Sequence, residues 1–201
     1  MKKWGAVLLV AVLLLAAFMI LPVHGEGEVY DRVIRLHVLA NSNSAEDQAL
    51  KLVVRDAVLA ESRVLLSGVE SREQAAEVLQ GSLPRIEQAA CEALAAAGAE
   101  NSVTATLDVE EYPTRQYESL AFPAGEYLSL RVMIGKAEGN NWWCVLFPPL
   151  CLSAASDAAT TEAAFLSAGL SGEQYRMIAD TDETKYKVRF KLLELAQSLF
   201  H

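Results

Sequence analysis

The spacing of apolar residues changes along this chain from a period of two to about 3.6 and back to two, and this change constrains the fold most. Residues 33–40 alternate between apolar side chains and the polar Arg35 and His37, which predicts a strand. Residues 44–98 then repeat apolar side chains at helical spacing, and residues 103–134 return to alternation. The order predicts an α+β fold, a single domain with an N-terminal strand, a run of helices, an antiparallel hairpin and a C-terminal helix.

Local capping signals predict where the helices begin. Ser44 followed by Asp47, and Ser71 followed by Gln74, have the spacing of capping boxes. Residues 81–84, Gly-Ser-Leu-Pro, predict a break before a third helix, because proline suits the first turn of a helix.

The segments after the helices predict strands. Residues 103–109 alternate between apolar and polar side chains. Residues 119–122, a turn at residues 123–125 and a strand over residues 126–134 together predict a hairpin.

The composition changes again after residue 151. Residues 152–172 are rich in alanine, serine and threonine and carry little charge, so we interpret them as a linker, a loop or a loose helix. Residues 173–201 are predicted to form a C-terminal helical segment, although their start also alternates and allows a strand. Four apolar residues form the helical stripe of that segment: Val188, Leu192, Leu195 and Leu199.

Residues 1–25 predict export across a membrane. Two lysines precede an uncharged apolar run over residues 4–21, and Pro22 ends that run. This layout is typical of a secretory signal peptide cleaved after Gly25, and its length also suits a retained N-terminal membrane anchor. A buried core helix is the remaining interpretation. Both of the first two place the rest of the chain on the outer face of a membrane.

The charge of the exported part excludes two classes of partner. The whole chain has 17 basic and 26 acidic side chains, a formal net charge of −9. Residues 1–25 contain two of the basic side chains and none of the acidic ones, so the remainder is more acidic still. Such a domain is expected to bind neither nucleic acid nor an anionic membrane surface, because both need clustered Lys and Arg.

No residue pattern in the exported part predicts an enzyme. Its two histidines, His37 and His201, and its three cysteines lack the paired spacing of a metal site or a nucleophile–base pair. Gly-rich phosphate loops, HExxH and GxSxG are absent. We therefore predict no catalytic residue, no metal and no cofactor, and we interpret His37 as a surface or packing residue and Glu110 as acidic surface.

Residues 140–151 have the most unusual composition. They contain two of the three tryptophans, two of the six prolines and two of the three cysteines of the chain. We interpret them as a loop stiffened by two prolines. Its aromatic rings serve either as core or as an anchor for a partner protein. The candidate partner-binding residues are Trp142, Trp143, Phe147, Pro148 and Pro149.

Cys144 and Cys151 are a candidate disulfide, because an exported protein meets oxidising conditions and the loop between them is short. The alternative is two reduced thiols that pack as small apolar groups. Cys91 is then unpaired, and its alanine-rich surroundings predict a buried, inert thiol.

Several of these segments, in the same order, resemble the stage II sporulation protein R family of endospore-forming bacteria. The resemblance covers roughly residues 30–151. Its most specific block is Asn141–Cys151, a run of rare residues. The other matching blocks are Ile34–Ser42, Asp47–Gln48, Val54–Val58, Pro123–Tyr127 and Arg131–Gly135, after an apolar leader.

The resemblance implies that residues 26–151 form a signalling domain rather than an enzyme. Members of the family are made in the forespore and secreted into the space between forespore and mother cell. There they are thought to trigger a membrane-embedded aspartic protease of the mother cell, which removes the pro-sequence of sigma factor E. Two alternatives stay open: a cell-wall-binding module that stacks sugars on Trp142 and Trp143, and an exported thiol hydrolase that uses Cys144.

Overall fold

Six strands and four helices form the described part of the computed structural model, which comprises residues 29–117, 120–148, 158–167 and 169–179. The strands are β1 (Ile34–Leu39), β2 (Val103–Tyr112), β3 (Arg115–Tyr117), β4 (Leu120–Phe122), β5 (Gly125–Ile134) and β6 (Asn141–Phe147). The helices are α1 (Ala45–Leu65), α2 (Arg72–Ala96), α3 (Ala158–Ser167) and α4 (Gly172–Ala179). The predicted α+β class, with its N-terminal strand, helices, hairpin and C-terminal helix in a single domain, is confirmed.

The main sheet has the strand order β2-β5-β1-β6. Strand β1 pairs in parallel with β5 and antiparallel with β6, and β2 pairs antiparallel with β5. Because β1 lies inside the sheet, all six of its residues are buried. The alternation predicted the strand, but its polar face, with Arg35 and His37, lies against protein instead of solvent.

Different layers cover the two faces of this sheet. Helix α1 lies on the face that carries Val38, since its Arg55 contacts Trp142, the β6 residue paired with Val38. The β3–β4 hairpin covers the opposite face, since Tyr117 of that hairpin contacts the Arg35 side chain. The sheet is therefore the middle layer of the domain.

Both predicted capping positions begin a helix. The Ser44 hydroxyl accepts a hydrogen bond from the Asp47 backbone N–H at 3.1 Å, before α1. The Ser71 hydroxyl accepts one from the Gln74 backbone N–H at 3.2 Å, before α2. Side-chain capping of free backbone donors is local, which is why these starts could be predicted.

The predicted break at residues 81–84 is wrong. Helix α2 continues through Pro84 from Arg72 to Ala96. A proline inside a helix costs about 3 kcal/mol. Buried side chains of α2 lie on both sides of Pro84, among them Leu79, Ile86 and Leu94. Each contributes about 1.5–3 kcal/mol when buried, so their packing outweighs the cost of the proline.

The hairpin in the structure is formed by β3 and β4, and not by the two segments that the sequence predicted. Strand β4 pairs with β3, through Tyr117 opposite Leu120, in a separate two-stranded sheet. Strand β5 instead pairs with β2 along its whole length and with β1 on its other side. A three-residue strand offers β5 far fewer backbone hydrogen bonds than two long neighbours do, so the predicted pairing of residues 119–122 with 126–134 is wrong.

The segment interpreted as a linker, loop or loose helix contains helix α3. Phe165 of α3 is fully buried, with its ring centroid 6.2 Å from that of Phe122 and 5.7 Å from that of Tyr175. Helix α3 therefore packs into the core through this side chain. The stripe predicted over residues 188–199 lies outside the described residues, as does the predicted leader. Within the described ranges, no helix is both long enough and apolar enough to cross a membrane.

Candidate partner-binding site

The tryptophan-rich segment is a strand and not a loop over residues 141–147. It forms β6, which lies beside β1 at the edge of the main sheet among the strands that the structure describes. Alternation along β6 places Trp142 and Trp143 on opposite faces. Phe147 is only 3% exposed and Pro148 is buried, so these two predicted site residues belong to the core. Pro149 lies outside the described residues.

Trp142 lies on the helix-covered face and is half-buried. The guanidinium carbon of Arg55 lies 5.1 Å from the centroid of its ring, a cation–π distance. The same guanidinium pairs with the Asp56 carboxylate at 2.7 Å. Trp142 therefore has one described aromatic or cationic contact, at the surface of α1.

Trp143 lies on the opposite face among several rings. Its ring centroid is 4.9 Å from that of His37 and 4.8 Å from that of Tyr112. The guanidinium carbon of Arg115 lies 4.2 Å from the Trp143 ring centroid. The indole Nε1 is buried without a hydrogen-bond partner. Trp143 is thus more deeply integrated in the fold than Trp142.

His37, which is buried, and Glu110, which is half-buried, form a hydrogen-bonded pair on this face. The His37 Nδ1 atom lies 3.2 Å from Glu110 Oε1, and Arg131 Nε lies 3.5 Å from the same oxygen. Burial acts to raise the pKa of the Glu110 carboxyl. Hydrogen bonds from His37 and Ser129 and the nearby positive charges outweigh it and lower that pKa. The interpretation of Glu110 as plain acidic surface is therefore wrong.

Arg35 is fully buried beneath the hairpin, in a cluster that we call the arginine cage. Its guanidinium carbon lies 4.4–5.8 Å from the centroids of four aromatic rings, those of Tyr112, Tyr117, Phe122 and Tyr127. Among the described residues, no carboxylate pairs with it. Cation–π contacts and hydrogen bonds therefore offset the cost of burying this charge.

The arginine cage fixes β6 to the hairpin. Arg35 Nε donates a hydrogen bond to the Cys144 carbonyl at 3.1 Å, and Arg35 Nη2 donates one to the Tyr117 hydroxyl at 2.8 Å. One side chain thus joins the strand of the two tryptophans to the layer above it. Sequence reasoning missed this role, because the partners of Arg35 lie 82 and 109 positions away in the chain.

Polar contacts of Asn140 with the β1–α1 loop and with helix α1 set where β6 begins. Asn43 Oδ1 accepts a hydrogen bond from the Asn140 backbone N–H at 2.7 Å, and Lys51 Nζ donates one to the Asn140 carbonyl at 3.0 Å. A side chain at Gly139 would lie 2.2 Å from the Ser42 carbonyl oxygen, so only glycine fits there. The sequence identified Ser44 as a helix cap, but not the contacts that the residues just before it make with the β5–β6 loop.

The cysteines differ in state. Cys144 is disulfide-bonded, whereas Cys91 is a free thiol. Cys91 is exposed, so its predicted burial is wrong: its position on α2 faces away from the core. Cys151 lies outside the described residues, and its pairing with Cys144 stays a prediction. A disulfide-bonded Cys144 has no thiolate, which argues against the thiol hydrolase alternative.

A comparison with family models decides the relationship of this chain. The model described as "Stage II sporulation protein R" matches residues 30–157, which include β1 to β6 and all the contacts of the candidate site. The chain belongs to the stage II sporulation protein R family. The resemblance stated from the sequence is therefore confirmed, and it includes both tryptophans of β6.

One relative in that family is the stage II sporulation protein R of Bacillus subtilis (strain 168). It is 43% identical over 121 residues, a match that covers 60% of this chain and 54% of the relative. The match thus spans about half of the length of that protein. No solved structure matches the chain.

Proposed function

We propose that this protein is an exported sporulation signal that triggers a membrane-embedded aspartic protease of the mother cell. That protease then removes the pro-sequence of sigma factor E. The family match over residues 30–157 carries this proposal. Under it, the apolar leader delivers the domain from the forespore into the intermembrane space, either cleaved or retained as an anchor.

The charge and the aromatic strand support a protein partner. The chain has a net charge of −9, yet an arginine covers each tryptophan of β6. Tryptophan and arginine are the residues most enriched at the energetic centres of protein interfaces. Strand β6 therefore offers two tryptophan–arginine pairs on an otherwise acidic protein.

The same geometry disfavours a cell-wall-binding module. A sugar stacks on an open aromatic face, and two rings extend such a platform only when they share one side of the protein. Trp142 and Trp143 lie on opposite faces of the sheet, and an arginine lies over each ring. Purified peptidoglycan should therefore not retain this protein in a sedimentation assay.

Reconstitution in a non-sporulating host tests the proposed signal. The full-length protein, the protease and its pro-sigma substrate are co-expressed, and removal of the pro-sequence is followed by immunoblotting. We expect processing to require both this protein and its leader. A variant lacking residues 2–25 is the matched control, because its domain stays on the wrong side of the membrane. Equal processing without the protein would refute the proposal.

A further inference from the structure

A groove of about 380 Å³ lies between the C-terminal end of α1, the end of β6 and helix α3. Binding sites for small molecules and anchoring side chains start at about this volume. Six apolar residues line the groove: Leu59, Leu66, Val69, Leu146, Phe147 and Ala164. Phe147, a residue predicted from the sequence to bind a partner and placed by the structure in the core, lines this groove.

One polar side chain that lines the groove, that of Ser62, is buried and unpaired. Ser62 is 1% exposed, and its hydroxyl has no hydrogen-bond partner. A buried hydroxyl without a partner costs about 1–3 kcal/mol, so a group that enters the groove and pairs with it regains that energy. A serine hydroxyl in a helix often donates to a carbonyl of the preceding turn, and this one does not.

The groove also has a charge opposite to that of the protein. Arg63 lines it, is exposed, and forms no ion pair with any residue in the described ranges. No carboxylate is among the described residues that line the groove. In a chain with a net charge of −9, this is a place where an acidic partner is not repelled.

We propose that this groove is the docking site for a segment of the partner protein in which an apolar side chain is followed by an acidic one. The apolar side chain enters between Phe147 and Leu66, a backbone group of the segment pairs with the Ser62 hydroxyl, and the carboxylate meets Arg63. This inference rests on the proposed function, because the protease supplies the segment.

Ser62→Ala separates docking from folding. The variant loses one hydrogen bond to the partner, so binding of the full-length protein to protease-containing membranes should weaken about threefold to tenfold. Its melting temperature should stay equal or rise, because the buried unpaired hydroxyl is gone. Wild-type affinity of this variant would contradict the proposed contact.

Arg63→Glu tests the charge, and Arg176→Glu is its matched control. Both arginines are exposed and lie in the last turn of a helix, so both substitutions change the net charge and the helix end equally. We expect Arg63→Glu to weaken binding at least about fivefold at low salt, with a smaller loss at high salt, and Arg176→Glu to bind as wild type. Equal losses in both would overturn the groove as the site.

Two results distinguish the failure of the docking site from that of the proposed function. If wild type binds the membranes and promotes processing while Ser62→Ala and Arg63→Glu equal it, only the groove is overturned. If wild type neither binds nor promotes processing, both are overturned. A third variant, Ser167→Trp, fills the groove from α3 and should block binding without changing Ser62 or Arg63.

Discussion

The two tryptophans of β6 should differ in what they contribute to stability and to activation. Trp143 contacts His37, Tyr112 and Arg115, and its indole nitrogen is buried. Trp142 contacts Arg55 at the edge of α1. The structure therefore places Trp143 nearer to the core and leaves Trp142 better suited to a partner.

Truncation of a fully buried tryptophan to alanine costs about 3–5 kcal/mol. Trp143 is half-buried but has two ring–ring contacts, so we expect Trp143→Ala to lose about 3 kcal/mol of unfolding free energy. Trp142→Ala should lose about 1 kcal/mol, the size of one partly exposed cation–π contact. In a domain of this size each kcal/mol lowers Tm by about 2–4 °C, so the losses correspond to roughly 6–12 °C and 2–4 °C.

Thermal denaturation and processing of the pro-sigma substrate should be measured on the same preparations. We expect Trp142→Ala to melt within a few degrees of wild type and to lose most of its activating capacity. Trp143→Phe is the control that keeps a ring among its neighbours and should recover most of the stability lost in Trp143→Ala. If Trp142→Ala melts as low as Trp143→Ala, or if activity follows stability in both, the assignment of the two roles is wrong.

Three further predictions concern the face opposite the helices and the cysteines. Arg35→Ala should lose about 3–5 kcal/mol in urea unfolding, because it leaves a cavity and two unpaired acceptors; an unchanged midpoint would contradict the cage. The folded protein lowers the pKa of the Glu110 carboxyl, so the ionised carboxylate stabilises the fold at pH values above its ordinary pKa of 4.5. This stabilisation is lost as the pH falls through the pKa of the folded state. Glu110→Gln should therefore flatten the acid limb of a stability–pH curve. A curve as steep as wild type would count against the pair. Alkylation of the native, unreduced protein should modify Cys91 and leave Cys144 intact, as read by peptide mass; modification of Cys144 would contradict its disulfide.

The parts of the fold that could be predicted are those decided by neighbouring residues. The caps at Ser44 and Ser71 need only a backbone N–H three positions away. The break at Pro84 was wrong because distant packing outweighs a local cost there. The pairing of β5 was wrong for a similar reason, since strands far apart in sequence compete for the same neighbour.

In the candidate site, too, the sequence indicated the local features and missed the contacts between distant residues. The rare composition of residues 140–151 indicated the two tryptophans, but the two prolines suggested a loop where the structure has a strand up to Phe147. The contacts of Arg35 and His37 join positions more than 70 residues apart, and a single sequence carries no signal for such pairs. Burial of both faces of β1 follows from its place in the sheet, which alternation does not encode.

Under the proposed export, the central place of β1 affects when the domain can finish folding. Both strands that flank β1 come about 90 residues or more after it, with Ile34 opposite Leu128 on one side and Phe147 on the other. A chain that crosses a membrane from its N-terminus delivers β1 first and must hold it unpaired until those strands emerge. Contacts so distant in sequence form late and slowly. An incompletely translocated molecule would then display neither the completed sheet nor the groove, which also needs Ala164 and Ser167 of α3. Under the proposed function, only a chain that has crossed through residue 167 carries the signal.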